Sequence, residues 1–408
     1  MGAVFAEALL TGELSLQERK AWGKKLEKWQ AKLDDYGVDD EFDVALCAAE
    51  SGWDYPPLRR AMLGQVAAGE TSDDESEAED SWFADELTEA WLNVLERQSR
   101  TGEFLALARA TGRITRYITM LVKAGQVQEA VDYGLTQALA PAEALALAKA
   151  LREHGEHQTA LRVAERGLDG DRLQVHDLAI WLRDAATALG DHPLALRAAR
   201  TAFAASYTLA DYLAVQAAAD EGWAVLRAVL LDGVRGETFT WISGPIDIYL
   251  HEGLVDDAVR LVNSQPYVDY ATLGRVADAA YASHPDWVIR QCRRQAEPTM
   301  DEGKSKYYSH ALGWLERVKK AYVAAGRGDE WRMYCEGLIV KHGRKYSLVP
   351  GLRARCKGSP VRREGACDLR CSKSPPPSSS ARRLAPARSS ACERPSWRAA
   401  WRRGRRSW

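Results

Sequence analysis

The stretch ALAKALREHGEHQTALRVAERGL, Ala146–Leu168, decides the fold. It reads as an Ala/Leu-rich helix, a break at Gly155, and a second helix in which Ala160-Leu161 follow the glycine by five residues. Glycine suits the turn between two helices, and the small alanine lets a neighbouring helix pack closely. The same spacing recurs on either side: Gly125 with Ala130-Val131, Gly190 with Ala195-Leu196, and Gly253 with Ala258-Val259. The glycine steps are 30, 35 and 63, the last near two periods. Repetition at such a period is the mark of a helical solenoid of the tetratricopeptide kind, although the full aromatic and proline signature of that repeat is missing. Pro141 and Pro193 stand where new helices begin, and β-branched alternation is nearly absent. The expected fold is therefore all-α, a tetratricopeptide-like α-solenoid of antiparallel helix pairs over residues 81–352. In this register Ala130, Ala160, Ala195 and Ala258 sit at close helix contacts.

Upstream, residues 1–69 read as a small N-terminal helical unit. Ser15-Leu16-Gln17-Glu18 is a capping box, and Trp22, Leu26, Trp29 and Leu33 follow it as one apolar stripe. A short helix is expected around Glu41–Glu50, and another over Leu58–Val66 after Pro57. Residues 70–80, ETSDDESEAED, hold seven acids and nothing apolar larger than Ala, which marks an acidic linker. The glycine and alternating ligands of a calcium loop are missing from it.

Downstream, residues 353–408 change grammar to fourteen Arg, ten Ser, six Pro and four Cys, without apolar periodicity. They read as a disordered basic tail. So abrupt a change is also what a shifted reading frame in GC-rich DNA produces. The formal charge of −2 over 408 residues hides this split, since the tail carries +13 and residues 1–352 carry −15. Neither a uniformly basic nucleic-acid coat nor a uniformly acidic chain fits such a distribution.

Cys47, Cys292 and Cys335 lie scattered through the body, and no disulfide framework or paired-cysteine knuckle is visible there. The N-terminus lacks a basic region followed by a long apolar one, and no run of about 18 uncharged apolar residues occurs. A soluble, cytoplasmic protein is expected, with no membrane association.

Several strings together resemble the C-terminal half of bacterial SWIM zinc-finger family proteins: LLTGELSLQERKAWGKKLEKWQAKLDDYG, GWDYPPLRRAMLG at Gly52–Gly64, the stretch Ala146–Leu168, LAIWLRDAA at Leu178–Ala186, and HGRKYSLVPGL at His342–Leu352. The resemblance covers about residues 8–352. It implies that zinc is held by a Cys-x-Cys and Cys-x-His module upstream of the region seen here, and that this module contacts nucleic acid or protein. No residue of this chain matches those ligands, so no cofactor and no metal are expected within it. The chain is expected to be a fragment, with its zinc module missing upstream and its end out of frame.

Candidate chemistry is sparse. His154 and His157 are three apart but belong to a turn, with no third ligand nearby. The tryptophans of the body, spaced singly on amphipathic stripes, read as core. No phosphate loop, GxSxG elbow or HExxH is present, so no enzyme is expected. Lys341, His342, Arg344 and Lys345 form a possible basic contact patch for phosphates or an acidic partner, and equally sit where cations favour a helix C-terminus. The expected function is a non-catalytic helical-repeat scaffold binding a protein or peptide partner. The alternative is nucleic-acid binding through the basic tail, where Trp397, Trp401 and Trp408 stand among arginines.

Overall fold

The computed structural model describes residues 1–12, 14–54, 77–169 and 174–356, with the backbone alone for 77–84. Among the described residues there are twenty α-helices, three single-turn 3-10 segments and no strand. The N-terminal helices are α1 (Gly2–Thr11), α2 (Leu16–Asp34) and α3 (Asp43–Ser51). Then come α4 (Glu77–Arg97), α5 (Thr101–Ala110), α6 (Ile114–Lys123), α7 (Val127–Thr136), α8 (Pro141–Glu153), α9 (His157–Gly167), α10 (His176–Ala188), α11 (His192–Ser206) and α12 (Leu209–Ala218). The rest are α13 (Trp223–Gly236), α14 (Ser243–His251), α15 (Val255–Ser264), α16 (Tyr270–Ala280), α17 (Pro285–Asp301), α18 (Tyr308–Ala324), α19 (Gly328–Lys341) and α20 (Val349–Cys356). The expected helix at Leu58–Val66 and the part of the acidic linker before Glu77 lie outside the described residues, as does the tail from Lys357 on. The last four residues of the expected linker, Glu77–Asp80, already belong to α4.

The capping box that opens α2 is formed as expected. Ser15 Oγ accepts from the Glu18 amide, and the Glu18 carboxylate accepts from the Ser15 amide at 2.8 Å. Of the apolar stripe that follows, Leu26 is fully buried, while Trp29 keeps part of its ring exposed and leans on Phe5 and Phe42. These helices share a core with α4, on which α1 and α3 pack, and Glu7 of α1 accepts from Asn93 and Arg97 of α4.

The spaced glycines end helices by one device. After α6, Gly125 takes a φ of +78°, its amide bonds to the Val122 carbonyl, and the Gln126 amide reaches back to Leu121. Two carbonyls left open by the helix end are thereby satisfied. Gly155, Gly190 and Gly253 repeat the arrangement, with Glu156 on Leu151, Asp191 on Ala186 and Leu254 on Tyr249. So do Gly112 and Gly326, which the alanine spacing did not flag. The chain turns sharply after each, and the next helix begins within a few residues. Principal packing then runs between most successive helices, with α13 only loosely joined to α12 and α14, and, through alternate helices, to the next but one: α6 on α8 on α10, and α12 on α14, α16, α18 and α20. Ala130, Ala160, Ala195 and Ala258 are all buried where their helices meet a neighbour.

Two points differ from expectation at the C-terminal end. Helical order does not stop at Leu352: α20 continues to Cys356, so Arg353–Cys356 belong to the compact unit Met1–Cys356 rather than to a disordered tail. Cys356 is also joined to Cys335 of α19 by a disulfide, where no pairing was expected. The two cysteines are 21 residues apart on different helices, and only the turn between α19 and α20 brings them together. Arg355 meets Glu316 of α18 at 3.3 Å, and Leu352 is fully buried, so this last helix is held by packing as well as by sulfur.

Candidate functional site

A wide concavity opens across α16, α17 and α18, with a volume of about 890 Å³. Each helix supplies one strip of it by 3.6-residue periodicity. From α17 come Arg294, Gln295, Pro298, Thr299 and then Glu302; from the start of α18 and the turn before it come Tyr307, His310, Gly313, Trp314 and Arg317. The first turn of α16 adds Tyr270. That turn is fixed by Asp269, whose carboxylate accepts from the Thr272 amide at 2.9 Å. Burial pushes the Asp269 carboxyl up, but the amides of Thr272 and Ala271 and the Thr272 hydroxyl outweigh it and hold the group below the usual carboxylate range.

Aromatic rings form the floor and rim. Tyr270 leans on Trp314 with ring centres 6.2 Å apart, and Tyr307 on His310 at 6.4 Å. Trp314 is nearly buried, whereas Tyr270 and Tyr307 present much of their rings to solvent. Arg317 stacks on Trp314 with its guanidinium carbon 5.0 Å from the ring centre, and donates to Asp278 of α16 at 2.7 Å. Glycine at 274 leaves it room, since a Cβ there would stand 3.2 Å from an Arg317 nitrogen. Arg294 is exposed on the opposite strip. Pro298 inside α17 has no amide to donate, so the carbonyl of Arg294 one turn earlier loses its helical partner on this same strip.

Gly313 lines the groove without a side chain. It lies in the middle of α18, where glycine costs about 1 kcal/mol relative to alanine. A Cβ at this position would meet nothing within 4 Å, so no clash demands glycine. Two guanidiniums, three large aromatic rings and the polar groups of Gln295 and Thr299 around a concave surface match the composition of protein-binding hot spots.

The expected basic patch is distributed differently from its sequence. Lys341 pairs with Asp301 at 2.7 Å, and Lys345 donates to the carbonyls of Met300 and Asp301. Both therefore serve the C-terminal end of α17 and not that of α19. His342 is buried beside them. Burial first, and then the neighbouring Lys345 and Lys341, hold its imidazole below the ordinary histidine range against the pull of Asp301. Only Arg344 of the four stands exposed without a carboxylate among the described residues.

His154 and His157 lie exposed at the turn between α8 and α9. His176 is elsewhere, on the first turn of α10, with Nε2 2.8 Å from a carboxylate oxygen of Asp211. The same oxygen accepts from the hydroxyls of Ser206 and Thr208. A nucleophilic triad needs the imidazole between serine and acid, whereas here the acid stands between the other two. The cluster ties α10 to α12. Among the described residues no group of three or more His, Cys, Asp or Glu is placed to hold a metal ion, and no helix is long and apolar enough to cross a membrane.

The groove residues escaped sequence analysis because their approach is tertiary. Trp314 follows the helical stripe of α18 and reads as core, which it largely is; its partner Tyr270 lies 44 residues earlier. Gly313, a glycine in mid-helix, was the one local signal. No known family model matches the chain, and no curated protein matches it.

Proposed function

We propose that this chain is a non-catalytic helical-repeat scaffold, a tetratricopeptide-like solenoid, that binds a protein partner by taking an extended peptide segment into the groove of α16, α17 and α18. The observation that carries the proposal is the open groove itself: about 890 Å³ lined by Tyr270, Tyr307 and Trp314, flanked by Arg294 and Arg317, with a mid-helix glycine in its wall. An aromatic or aliphatic side chain of the peptide enters against Trp314, and a carboxylate or main-chain carbonyl meets the guanidiniums. Helices packed in sequence order support the solenoid reading. The resemblance to SWIM zinc-finger family proteins agrees with a binding role in the cytoplasm, to which a zinc module would add contacts with nucleic acid or protein.

The test is selection of a displayed peptide library against the full chain, followed by affinity measurement on a Gly313→Leu variant. Leucine at 313 projects into the groove and suits the helix, so melting should be unchanged or higher. Selected peptides should lose at least about tenfold in affinity to this variant, as expected when a central pocket is filled. A selection that enriches nothing, or peptides indifferent to Gly313→Leu, would overturn the proposal.

A further inference from the structure

A second trough crosses α7, α9, α11 and α13, and its chemistry is unlike that of the aromatic groove. Two concavities of about 560 and 540 Å³ share Leu168, Arg197 and Thr201, so they form one continuous channel. Arg162 and Arg166 come from α9 and Arg197 and Arg200 from α11. Spacings of four and three residues put each pair on one helix face. Against these four cations stand two acids, Glu165 and Asp169. Glu165 pairs with Arg197, and Asp169 lies 3.7 Å from Arg166. Arg162 reaches only the Thr159 hydroxyl at 3.4 Å, and Arg200 is exposed with no carboxylate partner among the described residues. The floor beneath is aliphatic, with Leu135 and Leu168 half-buried and Val229 of α13 exposed.

This excess of positive charge is local. Residues 1–352 as a whole carry −15, so a trough of four arginines runs against the sign of the body that holds it. Two guanidiniums, those of Arg162 and Arg200, have no carboxylate among the described residues, and they are spaced along an apolar channel in which acids and cations alternate. A polyanion charged at every unit would meet Glu165, Asp169 and the acidic surroundings; a ligand with spaced carboxylates and aliphatic side chains would meet the free arginines and the leucines.

We propose that the trough across α7, α9, α11 and α13 docks an acidic, leucine-containing segment of a partner protein, with its carboxylates on Arg162 and Arg200 and its aliphatic side chains on Leu135, Leu168 and Val229. The site is separate from the aromatic groove, and the chain then carries two docking surfaces of different specificity.

The experiment uses the full chain and three fluorescent probes: a dodecapeptide of alternating Asp-Glu and Leu-Leu pairs, the same peptide with Lys for every acid, and a single-stranded DNA dodecamer. The acidic peptide should bind, and more weakly as salt rises from about 50 to about 300 mM. Binding should fall about tenfold or more in the double variant Arg162→Glu, Arg200→Glu, since like charges across an interface are strongly disfavoured. Both side chains are exposed and outside the ion pairs, so the variant should melt like the parent. Gly233→Leu, whose side chain projects into the open end of the trough, should weaken the same probe without touching either arginine. Gly313→Leu should leave it unchanged, which separates this site from the aromatic groove. Equal binding of the acidic and Lys peptides, unchanged affinity in the double variant, or tighter binding of the DNA would each overturn the proposal.

Discussion

His176 and Asp211 hold α10 and α12 together through a contact of 2.8 Å between the imidazole Nε2 and one carboxylate oxygen. Asp211 is only 5% exposed. Burial pushes its carboxyl up, but hydrogen bonds from Ser206, His176 and Thr208 outweigh burial and hold it below the usual range. Since the folded-state pKa is depressed, the stabilisation is present above the unfolded value of about 3.9 and is lost as pH falls through the lower folded value. Asp211→Ala should cost about 3 kcal/mol in urea unfolding at neutral pH, because it strands three donors around a buried site. Asp211→Asn should cost less and flatten the acid limb of the stability profile; an unchanged acid limb would show that this carboxylate does not govern it.

Ala130, Ala160, Ala195 and Ala258 are buried where successive helices meet. Replacing each with leucine should cost about 1–3 kcal/mol through overpacking, read as a lowered melting temperature. Four neutral substitutions would contradict the helix register. Gly167 belongs to the same class, since a Cβ there would lie 2.5 Å from that of Ala144 and 2.8 Å from a Leu178 methyl.

Two other glycines should respond to alanine with opposite sign. At Gly313 the added methyl meets open space, and Gly313→Ala should stabilise by up to about 1 kcal/mol through helix propensity. At Gly244 the methyl would stand 2.5 Å from the carbonyl oxygen of Tyr207, a backbone atom that cannot swing aside. Gly244→Ala should therefore lower the melting temperature, and a stabilising result would mean that α14 lies farther from the turn at Tyr207.

The Cys335–Cys356 bond closes a loop of 21 residues and fastens the last described helix. By the chain-entropy estimate, replacing both with serine should cost about 3 kcal/mol. Reductant should lower the melting temperature of the parent chain and leave the double variant unaffected. Equal response of both would show that the bond contributes nothing to the folded state.

Cys292 is buried in α17, and burial pushes its thiol up to about 12. Alkylation at about pH 8 should spare Cys292 in the folded chain, because the buried thiol stays protonated there. Unfolding should expose it fully, as peptide mapping by mass spectrometry would show. Early labelling of Cys292 in native buffer would indicate local opening of α17.

How much was legible in the sequence follows from the range of each signal. Gly155, Gly125, Gly190 and Gly253 announce their helix ends because the left-handed turn is a local demand of the backbone. Ser15 and Glu18 announce a helix start for the same reason. Cys335 with Cys356, and Tyr270 with Trp314, carry no such mark, since each pair lies on two different helices and meets only once those helices have packed. The patch Lys341–Lys345 shows the opposite failure: its charges are adjacent in sequence, yet Lys341 and Lys345 are drawn to the end of α17.

Packing of most helices on a near neighbour in sequence has a kinetic consequence. A segment leaving the ribosome meets partners that have already been synthesised, so almost no contact must wait for the distant end of the chain. Proteins dominated by local contacts pay little loop-closure entropy before those contacts form, and they fold fast. The exception is α20, whose anchorage to Cys335 needs an oxidation step, so the last of the described helices is also the one whose attachment follows the slower clock of thiol chemistry.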